Sequence, residues 1–476
     1  MSSTATQSDR TARPSSWTYE AARVVSTLAL RIFYRRIATV QGQHLPSGGP
    51  VVIAANHPNY IIDALALGTR THRQLHFVAK GALLDRYPVV SRFLRAAGVL
   101  PVFRQGERPA AGGATARASA NLESFGRCAD LLEENGVICM FAEGQSHPER
   151  QVREVRTGTA RIVLEAEARN DYRLGVQVVP AGLYFPDVDR FFSDGAVAFG
   201  PPIDTAPYLA QHADDPHEAV RAFTAEIQLR LRDLALHVPD PAWAACVEQV
   251  ADFAGGWPES TPDAATRLRL TREVSAALQA FQAADPAAAA RFRRSTDLLW
   301  MAADAWQRHG GDRSQVPTRL QDAATLPLAS FGFLFNMPPY LLLRLWIALF
   351  VHSREKRAFL KVVLGAPLFL GWYTLAARYM ARRRLLGPPG LMPVALAVAG
   401  PVMGFVGLRM RVHRRRWLDA WRPRSSGADA AREAEISLER TALLTTLAPW
   451  LPASANGVRP DGLNARGAEI RGDAAE

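Results

Sequence analysis

The chain has 476 residues, of which 48% are apolar and 21% charged, and its net charge is +11. This length exceeds one typical domain, and the composition is that of a folded protein, which excludes a disordered or collagen-like chain. Three scattered cysteines exclude a disulfide framework and a cysteine-ligated zinc site, and they favour reduced core thiols in a cytosolic setting.

The N-terminal segment begins with a polar stretch. Residues 1–16 have no apolar run behind them, so we predict a disordered tail and not a secretory signal. Residues 17–42 alternate apolar and basic positions, which on a helix places Val24, Val25 and Leu28 on one stripe bordered by arginines. We predict an amphipathic N-terminal helix, either at a membrane interface or packed on a core.

Residues 43–205 read as alternating strands and helices. Short apolar runs predict buried strands at 51–55, 75–79, 137–141, 176–184 and 196–199. The stretches between them predict helices at 61–70, 89–97, 119–135 and 159–168. The fold class is therefore α/β, with a central, mostly parallel sheet flanked by helices.

Two further regions carry no visible chemistry. Residues 206–322 predict a helical region, in which Thr261 is the expected N-cap and Pro262 the first helical residue of one helix. Residues 425–476 turn polar and predict a partly helical, then disordered tail.

The most apolar segment, residues 323–424, is also the most basic. It contains three uncharged windows at 323–343, 362–377 and 385–408, and residues 324–424 hold 16 Lys and Arg against two acids. A spanning helix needs about 20 apolar residues, and basic borders favour a membrane surface over nucleic acid. We predict hydrophobic membrane-associated helices, with the last two windows as a membrane helical hairpin whose flanks are cytoplasmic. A buried helical core and a shallow re-entrant hairpin remain as alternatives.

Four polar blocks fall in order across the α/β part. They are ANHPNYIID (55–63), GVLPVFRQ (98–105), FAEGQSHPE (141–149) and VVPAGLYF (178–185). Each follows or overlaps an apolar strand, and ligand sites in open α/β sheets form at the carboxyl ends of strands.

The first block offers a base. His57 leaves a strand ahead of a helix, and Asp63 about one turn into that helix can hold one ring nitrogen while the other takes a proton from a hydroxyl. No serine or cysteine nucleophile is evident beside the pair, which suggests direct activation of a substrate hydroxyl. The alternative is a capping histidine and a helix-surface aspartate.

The other blocks suggest anion and polyol binding. Arg104 suits bidentate contact with a phosphate, and Gly144 permits a tight turn whose backbone donors can face an anion. Glu143 can bond a polyol hydroxyl or hold Arg104. The remaining predicted substrate-binding residues are Asn56, Ser146 and Arg156. The sequence shows no metal-ligand spacing, and we expect no metal.

Together the four blocks resemble those of the glycerophospholipid, or PlsC-like, acyltransferase family. That family shares H-x4-D, G-x-[ILV]-P-[IV]-x-R, F-P-E-G and V-P-[VA] blocks. The matching positions here are His57, Asp63, Gly98, Pro101, Arg104, Phe141, Glu143, Gly144, Val179 and Pro180. The likeness covers residues 40–204.

The resemblance implies an O-acyltransferase of phospholipid (phosphatidic acid) biosynthesis. His57 would be the base on an acceptor hydroxyl that attacks acyl-CoA or an acyl carrier protein thioester, supported by Asp63. Arg104, Glu143 and Gly144 would bind glycerol phosphate. No cofactor is implied, and the expected partners are membrane lipids, the acyl donor and the acceptor, without nucleic acid. The expected location is an inner membrane, with the catalytic domain in the cytoplasm.

Departures from the family pattern narrow the expected identity of the acceptor. Five residues, not four, separate His57 from Asp63, so the added residue is expected in the loop before the helix, where Pro58 disfavours an early start. The third block lacks its usual proline and reads EGQSH. Both changes resemble the fungal glycerol-3-phosphate/dihydroxyacetone-phosphate acyltransferases, which favours glycerol 3-phosphate over 1-acylglycerol 3-phosphate. Alternatives are another lysolipid acceptor, such as a lyso-ornithine lipid or a lysophospholipid, or a non-catalytic membrane scaffold.

Overall fold

The computed structural model describes most of the chain in two compact units. The described residues are 15–80, 98–102, 114–257, 263–308, 319–351, 354–383 and 428–451. The units are Met1–Pro241 and Ala242–Glu476. Arg104, the predicted helix at 89–97 and the apolar window at 385–408 lie outside the described residues.

The first unit is built on a seven-stranded sheet. Its strands are β1 Arg36–Val40, β2 Val51–Ala55, β3 Leu75–Lys80, β4 Leu100–Val102, β5 Val137–Phe141, β6 Gln177–Tyr184 and β7 Asp194–Phe199. Their order is β1-β7-β6-β2-β5-β3-β4, and every neighbouring pair is parallel except β6 and β7. All five residues of β2 are buried, as a central parallel strand requires. The predicted α/β class with a mostly parallel sheet is confirmed.

Helices cover this sheet. They are α1 Trp17–Phe33, α2 Ile61–Gly68, α3 Ala114–Glu133, α4 Gly158–Arg169, α5 Ala206–Asp214 and α6 Pro216–Leu234, with a short 3-10 helix at Gly42–His44. Phe223 and Ile227 of α6 are buried in the same core as Val52 of β2. The predicted domain boundary at residue 205 is therefore too early, because the apolar face of α6 completes the core of the α/β unit.

The N-terminal helix is shorter than predicted. It ends at Phe33, and residues 36–40 of the predicted helix form β1, paired with β7. The alternation in RIATV suits a strand once β7 is available as a partner. The helix begins at an ordered Ser16, whose Oγ accepts the Tyr19 N–H at 3.3 Å and whose own N–H donates to Gln74 at 2.8 Å. Ser16, which the predicted disordered tail includes, is thus held by hydrogen bonds, and residues 1–14 lie outside the described residues.

The second unit is helical in its described residues. Its elements are α7 Ala244–Ala254, α8 Ala264–Ala284, α9 Pro286–Arg308, α10 Arg319–Phe350, α11 Arg354–Arg383 and α12 Ala428–Leu447, with a 3-10 turn at Ala448–Trp450. The N-cap of α8 is Asp263 and not the predicted Thr261: its carboxylate accepts the N–H groups of Ala265 and Thr266 at 2.9 and 3.2 Å. In α12, Leu444 is buried, so part of the predicted polar tail is a packed helix.

Two long apolar helices, α10 and α11, form an antiparallel hairpin. Leu343 and Ile347 of α10, with Val351 directly after it, pack against a row of α11 leucines, and Tyr373 donates to Asn336 Oδ1 at 2.7 Å. The hairpin thus joins the first two apolar windows, whereas the sequence suggested the second and third. In the part of the chain that the structure describes, no helix is long and apolar enough to cross a membrane. The spanning helix expected at 362–377 is therefore not borne out, and its expected partner at 385–408 lies outside the described residues.

Candidate active site

The histidine and aspartate of the first block meet at the carboxyl end of the central strand. β2 ends at Ala55 and α2 begins at Ile61, so His57 lies in the connecting loop and Asp63 in the first turn of the helix. His57 Nδ1 lies 2.8 Å from Asp63 Oδ2. The residue added to the H-x4-D pattern is taken up in the loop, as expected from the sequence.

Asp63 is fully buried and directed at His57. Its Oδ2 also accepts the backbone N–H of Asn59 at 2.7 Å, while Oδ1 has no hydrogen-bond partner in the structure as described. Burial raises the pKa of the Asp63 carboxyl above its ordinary value, and the hydrogen bonds from His57 and Asn59 act against that rise. The carboxylate is thus held by the two groups that fix the histidine loop.

The imidazole ring of His57 packs against an aromatic ring and remains partly exposed. Its ring stacks on Phe141 of β5 with centroids 3.8 Å apart and planes 8° from parallel. The side chain is 15% exposed, and none of the described residues hydrogen-bonds to Nε2. With Nδ1 bonded to a carboxylate, Nε2 is left as the nitrogen that can accept a proton from a bound hydroxyl.

Asn56, a predicted substrate-binding residue, forms hydrogen bonds within the protein. Its Nδ2 donates to Leu183 O at 3.1 Å, and its Oδ1 accepts Leu183 N–H at 2.7 Å. The side chain is buried, and both of its polar atoms bind the backbone of β6. It therefore joins the end of β2 to β6 and positions the neighbouring histidine.

Glu143 likewise has both oxygens engaged by the protein. Oε1 accepts the His57 N–H at 3.1 Å; Oε2 accepts the Arg153 N–H at 2.7 Å and contacts His147 Nε2 at 2.5 Å. The residue is 3% exposed. In this arrangement the carboxylate holds the loop that carries His57, and the role of Glu143 as a ligand for a polyol hydroxyl stays a prediction.

Gly144 and Ser146 shape the same turn. Gly144 has φ of 76°, a conformation that favours glycine, and its N–H donates to Phe141 O at 2.8 Å, which closes the turn. Ser146 Oγ accepts the Tyr60 N–H at 2.9 Å. The turn therefore contacts the histidine loop directly.

Arg156 supplies an exposed cation next to this turn. Its N–H donates to Ala142 O at 2.8 Å, its side chain is exposed, and no described residue pairs with its guanidinium. Arg153, by contrast, is paired with Glu149. Arg156 is thus the predicted binding residue that remains available to a phosphate among those described.

Two contributors to the site were missed by sequence reasoning. Asn59 holds Asp63 through its backbone, and its side chain donates to Tyr34 Oη at 2.8 Å and Val188 O at 3.1 Å. His147 is 5% exposed and holds Glu143. The available signal was the run of polar residues directly after each buried strand.

Comparisons with known proteins address the same stretch of chain. Residues 37–184 match the family model Acyltransferase. Over 121 residues the chain is 31% identical to glycerol-3-phosphate O-acyltransferase 2 of Saccharomyces cerevisiae, an alignment covering 25% of this chain and 16% of the yeast protein. The chain thus spans about a sixth of that curated relative.

A solved structure is also similar: the crystal structure of the 1-acyl-sn-glycerophosphate (LPA) acyltransferase PlsC from Thermotoga maritima. The match covers 45% of this chain and 82% of that one, at 15% identity and a TM-score of 0.31. The family match alone spans β1 through β6 and contains His57, Asp63 and Glu143. Residues 37–184 are therefore similar to the Acyltransferase family, in agreement with the resemblance to PlsC-like enzymes found in the four sequence blocks.

Proposed function

We propose that the protein is an O-acyltransferase that moves a fatty acyl group from a thioester to a hydroxyl of glycerol 3-phosphate or 1-acylglycerol 3-phosphate. The observation that carries the proposal is the 2.8 Å contact between His57 Nδ1 and buried Asp63 Oδ2 at the end of β2, inside the Acyltransferase match. The name of the yeast relative supports a glycerol-phosphate acceptor.

The chemistry uses one base and no covalent enzyme intermediate. His57 Nε2 takes the proton of the acceptor hydroxyl as its oxygen bonds to the thioester carbonyl carbon. Asp63 holds Nδ1 and stabilises the imidazolium that forms. When the carbon–sulfur bond breaks, the imidazolium returns the proton to the departing thiolate, so the ester, the free thiol and neutral His57 are regained. The thiol belongs to coenzyme A or an acyl carrier protein.

The acceptor phosphate needs cations near this base. Arg156 is exposed in the loop between β5 and α4, and Arg104 follows β4 by two residues in the sequence. Arginine offers a fixed fork of donors that suits a phosphate. These two side chains are the proposed phosphate ligands.

Membrane association is part of the proposal because the product is a lipid. On α1, Trp17, Val24, Val25, Leu28 and Ile32 are all exposed. On the α10–α11 hairpin, Trp346, Phe350 and Leu370 are among many exposed apolar side chains. Large apolar surfaces of this kind next to arginines support contact with a bilayer surface.

An acceptor panel tests the function. Protein with anionic lipid vesicles is given labelled acyl-CoA and, separately, glycerol 3-phosphate, 1-acylglycerol 3-phosphate, a lysophospholipid and a lyso-ornithine lipid. We expect transfer to a phosphate-bearing glycerol, with the KM for that acceptor raised about tenfold or more in Arg104→Ala because a charged contact is lost. Transfer only to the lyso-ornithine lipid would move the function to the lysolipid alternative, and transfer to none would favour a scaffold.

A further inference from the structure

The loop that carries His57 contains a strained residue. Tyr60, directly before α2, has φ of 51° and ψ of −135°. A residue with a side chain rarely adopts this conformation, which resembles the first central residue of a type II′ turn and normally favours glycine. Such strain persists when surrounding contacts over-determine it. The five-residue spacing between His57 and Asp63 is therefore accommodated at a cost in backbone conformation.

The contact that holds Tyr60 comes from the third sequence block. Ser146 Oγ accepts the Tyr60 N–H at 2.9 Å. The serine is fixed by its own turn, which Gly144 closes with positive φ and a 2.8 Å bond to Phe141 O. The hydroxyl is thus presented to the loop from a turn anchored on β5.

The same turn binds both backbone groups of His57. Glu143 Oε1 accepts the His57 N–H at 3.1 Å, and His147 N–H donates to His57 O at 3.0 Å. His147 and Glu143 are joined through Nε2 and Oε2, and both are buried. Glu143 and His147, four residues apart in the sequence, thus bind the backbone N–H and C=O of the proposed base.

We propose that the Glu143–His147 turn is a cradle that positions His57, and that Ser146 and His147 are the positioning residues matched to the longer loop between His57 and Asp63. The EGQSH turn then supports the longer loop that the extra residue creates between His57 and Asp63. Ser146 holds the strained Tyr60 backbone, and His147 with Glu143 holds His57. This inference rests on the proposed function, in which His57 is the base.

Kinetics on the accepted acceptor separate positioning from substrate binding. Misplacing the base should lower the rate of the chemical step and leave ground-state binding intact. We expect Ser146→Ala and His147→Ala each to lower kcat about tenfold or more, with the acceptor KM changed less than twofold. A raised acceptor KM at unchanged kcat in Ser146→Ala would overturn the proposal, because it would make Ser146 a substrate ligand.

Conservative variants and a matched control sharpen the result. Ser146→Thr keeps the hydroxyl, and His147→Gln places an N–H near the position of Nε2, so both should recover most of the lost kcat. Thr224→Ala removes a hydroxyl that donates to Val220 O within α6 at 2.6 Å, and it should leave kcat unchanged. If Ser146→Ala behaves like this control, or if neither conservative variant recovers activity, the cradle is wrong.

A spectroscopic measurement distinguishes failure of the cradle from failure of the proposed function. In selectively 15N-histidine-labelled protein, assigned with His57→Gln, the His57 Nδ1–H bonded to Asp63 should give a downfield proton signal. We expect that signal to shift or broaden in Ser146→Ala and His147→Ala and to stay in place in Thr224→Ala. A wild-type protein that transfers no acyl group would refute the function, whereas unmoved His57 signals in both variants would refute the cradle.

Discussion

Each polar residue in the first block has an assignable contact, and those contacts divide the block into a proposed reacting pair and its supports. His57 presents Nε2 outward, while Asp63, Asn56 and Asn59 are buried with their bonds directed at the protein. Unpaired buried polar groups are costly, so a block of this kind is stable only when the fold supplies partners. Here the partners are the backbone of β6 for Asn56, the loop itself for Asp63, and Tyr34 Oη with Val188 O for the Asn59 side chain.

Replacing Asp63 by asparagine should separate stability from activity. Burial raises the pKa of this carboxyl above its unfolded value near 3.9, so the folded state binds more protons than the unfolded state between the two values. The free energy of unfolding contributed by Asp63 therefore falls as pH rises through that window. The Asp63→Asn variant has no carboxyl to ionise and so does not lose this free energy. Its free energy of unfolding, relative to that of wild type, should therefore increase as the pH rises above about 4. Urea unfolding at a series of pH values measures this difference.

In the same variant, acyl transfer should fall about 10²-fold or more, because the negative charge that stabilises the imidazolium is gone. Glu149→Gln, which changes an exposed carboxylate paired with Arg153, serves as the control for both measurements. Asp63→Asn that loses stability relative to wild type as the pH rises would contradict the burial argument.

Among the helices and strands, those strands that are flanked by turn residues could be predicted from the sequence. Element boundaries that depend on pairing with a distant strand could not. β2 and β5 were predicted with the bounds observed because each is a continuous apolar run. β1 was missed because residues 36–40 continue the helical pattern of α1, and only pairing with β7 makes them a strand. The use of Asn56 depends on Leu183, which is 127 positions away in the sequence.

The exposed apolar stripe of α1 is expected to contribute to membrane binding. Val25 and Leu28 are 67% and 61% exposed, and burying both in a lipid interface should contribute several kcal/mol, by about 1.5–3 kcal/mol for each side chain. Val25→Ser with Leu28→Ser should lower binding to anionic vesicles about tenfold or more in a flotation assay. Leu229→Ser, at an exposed leucine of α6, is the control. Equal vesicle binding by the double variant and the control would remove α1 from the interface.

For the whole molecule, every residue placed in the candidate site belongs to the α/β unit. The sequence blocks predicted that His57 and Asp63 would meet, because strand ends in a parallel sheet converge at one edge. They could not show that Glu143 and Ser146 turn inward, since that direction depends on the backbone path of the loop they hold. Side-chain direction is a property of the packed structure, and spacing alone does not determine it.

A comparison of wild type with His57→Ala tests whether His57 is the base for acyl transfer. Wild type and His57→Ala are assayed at saturating labelled acyl-CoA with the acceptor found in the panel, after circular dichroism shows that both are folded. We expect kcat to fall about 10²-fold or more in His57→Ala, since general-base catalysis typically contributes about 10²–10⁴-fold. Turnover in His57→Ala equal to that of wild type would contradict it.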